Sequence, residues 1–261
     1  MSGALILLVI ILISSIPIII VYVWFRLAKY HFPLHRFLFT LLAGAAAFFP
    51  ALLLQAMLSL PSLSGRAALF YKYFIHIAFT EEISRFFILL IFFFIYFRIS
   101  SRNSAQLLKS PNPSINLIKM ATATGLVAGF GFALLENAVY AASDIRVLPL
   151  RIIITAAVHA ACGSRIGVAA VMIRTNPFQA ILRILTATAI HGIYNLMMDM
   201  PGFSPIAAIL IALSALFSAI FTIRGGWLDG LTEETTDLIQ SKPIVNEPPA
   251  IQPIDKNNEN S

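Results

Sequence analysis

Along this chain apolar residues come in long blocks of about 20, and polar residues collect in the gaps between them. Seven blocks are legible, at about 4–25, 37–60, 68–97, 118–142, 149–173, 179–199 and 204–223. At a rise of about 1.5 Å per residue, each can cross a hydrocarbon core roughly 30 Å thick. Lipid offers no partner to a backbone amide, so each block must satisfy its own hydrogen bonds as a helix. The pattern predicts an all-α fold, a polytopic transmembrane helix bundle of about seven spans. The third block is the longest, and is expected to tilt or to begin with an interfacial turn around "GRAALFYKY".

Composition agrees. Of 261 residues, 59% are hydrophobic and 11% charged, against about 25% charged in a soluble domain. The expected surroundings are the lipid bilayer, with no nucleic-acid partner. The first block has no basic stretch before it and no small-residue cleavage site, so it is read as a retained helix rather than a leader. With the N-terminus outside, ten basic residues fall in or beside inside loops (Arg26, Lys29, Arg36, Arg98, Arg102, Lys109, Lys119, Arg174, Arg183, Arg224). Four fall outside: Arg66, Lys72, Arg146 and Arg151. The positive-inside rule then predicts a multi-pass protein of the cytoplasmic membrane, N-terminus out and C-terminus cytoplasmic. Residues 1–224, with a net charge of +11, are read as the membrane domain. Residues 225–261 carry seven acids against two lysines in a Pro- and Asn-rich stretch, predicted to be a disordered cytoplasmic tail. The longest internal connection is 98–118. Cys162 is the sole cysteine, so no intramolecular disulfide forms, and nothing nearby activates its thiol.

Lys72, Lys119, Arg151, Arg183 and Asp199 fall towards the ends of the blocks. Away from those ends ionisable residues are few: Glu81, Glu82 and Arg85 in the third, with His76 nearer its outer end, Glu136 in the fourth, His159 and Arg165 in the fifth, His191 in the sixth. A charge in hydrocarbon is costly, so such residues mark functional sites unless they pair with one another. Counted along their helices, Glu81, Glu82, Glu136, His159 and His191 all fall in the middle or outer half of the bilayer. Arg85 lies one turn from either glutamate. The two glutamates point about 100° apart, so one can face a cavity while the other pairs with Arg85. His191 and Asn195 share a helix face, as do Phe132, Glu136 and Tyr140. Gly125/Gly129 and Gly163/Gly167 are small-xxx-small spacings that predict close approach of the fourth and fifth helices.

The stretches "EEISR", "GFGFALLENAVY", "AVHAACGSRIG" and "IHGIYN" resemble the PrsW-type intramembrane proteases, distant relatives of the CAAX-prenyl-protease and Abi membrane family. The resemblance runs over about 76–197. Glu81-Glu82 with Arg85 matches the family's EExxK, arginine replacing lysine; Phe132 and Glu136 match FxxxE; His191 and Asn195 match HxxxN. The FxxxH motif departs from the pattern, with Thr155 in the aromatic position before His159. The resemblance implies hydrolysis of a peptide bond in a membrane-anchored protein, such as an anti-sigma factor with an extracytoplasmic portion. It also implies Glu81 as the general base.

Amide hydrolysis needs an activated water and a stabilised oxyanion. Beside Glu81, the residues suit Glu82 as a brace, His159 and His191 as groups that orient water and protonate the leaving amine, and Asn195 as an oxyanion donor. Arg85 and Glu136 would support them. One zinc ion on His159, His191 and a glutamate, Glu136 or one of the pair Glu81 and Glu82, is the competing arrangement. No HExxH helix is present, and the inventory leaves both open. A proton-coupled transporter would use the same Glu/His cluster, but inverted repeats with broken helices are not found. A non-catalytic membrane scaffold is the third reading. Oligomeric state is not legible.

Overall fold

The helices follow the apolar blocks, and several of their breaks follow proline. The computed structural model describes residues 3–58, 61–99, 115–200, 202 and 204–225, and contains no strand among them. Helices α1 (Gly3–Ser14) and α2 (Ile16–Leu27) divide the first block at Ser15. Pro17 has no N–H to return to the preceding turn, and the Ser15 hydroxyl donates to the Ile11 carbonyl at 2.8 Å. Helices α3 (Leu34–Ala46) and α4 (Phe48–Met57) meet at Ala47, three residues before Pro50. The third block is one continuous helical run from α5 (Gly65–Phe70) through a π-helical stretch, Tyr71–Phe79, into α6 (Thr80–Ile99). Then come α7 (Ile115–Ser143), a short turn, a second π-helical stretch at Arg151–Thr155, and α8 (Ala156–Met172). Helices α9 (Pro177–Asp199) and α10 (Ser204–Arg224) complete the described residues.

Among the described residues, six segments are long and apolar enough to cross a membrane: Leu8–Leu27, Leu34–Met57, Ile115–Ser143, Ile145–Met172, Pro177–Asp199 and Ser204–Arg224. The run from Gly65 to Ile99 is also long enough, but Glu81, Glu82 and Arg85 set it apart from the purely apolar six. The expected polytopic bundle of about seven helices is therefore present, with its charged member distinct. Most of the 98–118 connection and nearly all of the acidic tail lie outside the described residues.

Helices α7 and α8 form the centre. Every residue of α8 is buried except Arg165. A methyl added to Gly125 or Gly129 would run into the backbone of Gly163 or His159, and one added to Gly167 would meet Ala121. These glycines are what lets the two backbones touch. Gly44 and Gly131 do the same between α3 and α7, against Ala128 and Leu41. The outer helices expose Ile19, Phe39 and Phe217 at 60–67%, a surface suited to acyl chains.

Candidate active site

Four helices bring their ionisable residues to one point. Thr80 opens α6 with its hydroxyl on the His76 and Ile77 carbonyls, at 2.7 and 2.9 Å, where the wider π-helical turns give way to α-helix. One and two residues later, Glu81 and Glu82 turn into the bundle, both buried. Their environments differ. Glu82 has both oxygens occupied: Arg85 donates to Oε2 at 2.7 Å, and His191 Nδ1 lies 2.9 Å from Oε1. Glu81 accepts from Gln55 Nε2 through Oε1 at 3.2 Å, while its buried Oε2 has no hydrogen-bond partner. That free oxygen points towards His191 Nε2, 3.7 Å away.

Arg85 ties the site together. One arm holds Glu82, the other lies 3.1 Å from His159 Nδ1, and the guanidinium stacks on Phe132 at 4.5 Å. A guanidinium only donates, so His159 Nδ1 is the acceptor and Nε2 carries the proton given to Glu136 Oε2, 2.6 Å away. Glu136 is in turn held by Arg151 at 2.8 Å. The His159 and His191 rings meet edge to face, 4.9 Å between centroids. Two guanidiniums, Arg85 and Arg151, together with the two imidazoles thus face three buried carboxylates, and buried charge is tolerated where it is paired and hydrogen-bonded.

Ligand atoms of Glu81, His159 and His191 all lie within 4.8 Å of one another. Two imidazoles and a carboxylate with a free buried oxygen suit a divalent metal. Glu82 on His191 Nδ1 is the carboxylate–histidine arrangement that presents Nε2 to such an ion. For His159 to serve, it must exchange one of its present hydrogen bonds. The carboxylate grouped with the histidines is Glu81, whereas Glu136 sits behind His159.

Of the residues expected from sequence, Glu81, Glu82, Arg85, Glu136, His159 and His191 form this cluster. Asn195 instead lines a cavity of about 620 Å³ beyond it, shared with Glu136, Arg151, Tyr140 and Asp199. Two partners were missed. Gln55 is the one strongly polar residue in the apolar run "PALLLQAML", which is a readable signal. Arg151, assigned to an outside loop, reaches inward to Glu136 and Asn137 and lies 3.8 Å from the Tyr140 ring centroid. Only packing shows that.

Comparison with curated proteins and with solved structures gives no significant match. A family model described as "PrsW family intramembrane metalloprotease" matches residues 32–222, which takes in α3 to α9, most of α10 and every residue of the cluster. The chain is therefore a multi-pass membrane protein belonging to the PrsW family of intramembrane metalloproteases.

Proposed function

We propose that this chain hydrolyses a peptide bond of a membrane-anchored protein with an extracytoplasmic portion, an anti-sigma factor being one such substrate. The proposed metal set is Glu81, His159 and His191, and zinc is the ion that suits two imidazoles and one carboxylate. The observation that carries this reading is the unpartnered, buried Glu81 Oε2 beside two histidine rings. Zinc bound there would supply Lewis acidity and a water of lowered pKa.

The protein's own residues do the rest. Glu82 and Arg85 fix the His191 ring and anchor α6 to α8. Glu136, held by Arg151, keeps His159 oriented and stands where the 620 Å³ cavity meets the cluster, placed to take and return a proton. A peptide approaching through that cavity passes Asn195, whose amide would donate to its carbonyl oxygen. The cavity lies on the side of the bundle that basic-residue bias predicts to be outside, which supports a cleavage point near the outer boundary.

A second reading rests on the same free oxygen: Glu81 as a general base with no metal. Metal analysis of detergent-purified protein, paired with cleavage of a membrane-anchored reporter before and after chelation, separates them. About one zinc per chain, and cleavage lost on chelation and restored by zinc, is expected. Full activity in metal-free protein would leave Glu81 as the base.

A further inference from the structure

Five acidic side chains precede residue 225. Glu81, Glu82 and Glu136 belong to the cluster, Asp144 pairs with Arg146 at 2.9 Å, and Asp199 lies 3.7 Å from Lys72. None of these five pairs with the cations Arg26, Arg36 and Arg98 at the other end of the bundle. One of those cations is built into a site. Arg36, in the first turn of α3, lies between the rings of Phe32 and Tyr96, 4.8 and 4.6 Å from their centroids. Its only hydrogen bonds among the described residues are long ones, 3.4 Å to the Tyr96 hydroxyl and 3.3 Å to Thr124 Oγ1. Nearby Tyr30 offers no phenolate, since burial pushes its hydroxyl up to about 12.

Two further features point to an anion. Pro33 at the N-cap of α3 makes no side-chain cap, so the first-turn amides and the positive end of the helix dipole lie beside Arg36 uncapped by the N-cap side chain. The guanidinium also opens on a groove of about 500 Å³ whose polar end is His35 and Arg36. Its walls, Phe39, Phe92 and Ile95, run from there towards the bilayer centre, and Phe39 and Ile95 are more than half exposed.

We propose that this groove holds an anionic phospholipid, with its phosphate on Arg36 and the α3 amides and an acyl chain along Phe39, Phe92 and Ile95. The apolar wall distinguishes it from a site for a soluble anion. No carboxylate of residues 1–224 is free there to hold an ammonium, which favours phosphatidylglycerol over a zwitterionic lipid. Tyr96 is eleven residues from Arg85, roughly 16 Å along α6, so the site is separate from the cluster.

The test reconstitutes the full chain in nanodiscs of equimolar phosphatidylglycerol and phosphatidylcholine and counts retained lipids by native mass spectrometry. Wild type should retain phosphatidylglycerol about fivefold over phosphatidylcholine, the ratio that follows from one arginine at a membrane surface. Arg36→Gln should bring the ratio close to parity. Should that variant fold poorly, His35→Glu is the second probe. It places an internal anion at the groove and an acid at a helix N-terminus, where it is well tolerated, and should also abolish the preference. Excess inorganic phosphate should leave the wild-type ratio unchanged; displacement by phosphate would overturn the lipid assignment. So would parity in wild type, or a ratio unaltered in a folded variant.

Discussion

Glu81 and Glu82 are adjacent and chemically identical, yet the fold gives them different work. The 100° turn between them sends Glu82 to Arg85 and His191, and leaves one oxygen of Glu81 unpartnered. Glu81→Gln keeps the shape, and should lower cleavage by at least about 10²-fold while the protein stays folded. Metal content tells the two roles apart: a ligand role predicts bound zinc in the wild type and its loss in the variant, whereas the metal-free base role predicts no zinc in either. Arg85→Ala strands a buried carboxylate and should destabilise the protein by about 3–5 kcal/mol, read as a fall in thermal midpoint. Arg85→Lys, which restores the lysine of the family's EExxK motif, keeps the positive charge beside Glu82 and should fold and retain substantial activity.

At the scale of elements, the cluster depends on two features. Each of the two π-helical stretches runs directly into a helix that carries site residues, Tyr71–Phe79 into α6 and Arg151–Thr155 into α8. Such wider turns often accompany functional sites. The second is the glycine contact between α7 and α8, which sets how far Glu136 stands from His159. Gly129→Ala must push two backbones apart, and should cost about 1–3 kcal/mol along with most of the activity. Gly192→Ala meets the side chain of Phe74 rather than backbone, so it should be milder in both respects. Thermal unfolding and reporter cleavage of the two variants, side by side, check the ranking.

For the whole molecule, the orientation proposed from basic residues has a direct consequence. In a cysteine-free background, a cysteine at the exposed Ser62 should react with a membrane-impermeant maleimide added to intact cells, and cysteines at Ser104 or Ser241 should not. The reverse pattern would invert the topology. It would also move the 620 Å³ cavity, and with it the proposed cleavage point, to the cytoplasmic side.

Hydropathy alone determined that the chain is a helical membrane bundle, because in lipid the length and apolarity of a segment leave the backbone one solution. The sparse intramembrane charges alone marked Glu81, Glu82, Arg85, Glu136, His159 and His191, since nothing else justifies their cost. Gly125, Gly129, Gly163 and Gly167 even announced which two helices meet. Tertiary structure decided the rest. Which glutamate keeps a free oxygen, and which carboxylate joins the histidines, depend on helix rotation and on partners distant in sequence, such as Gln55. That Arg151 leaves its interfacial position to hold Glu136 is set by the same packing, because a long side chain near a helix end can turn either to headgroups or to a buried anion. Only the neighbours it finds choose between them.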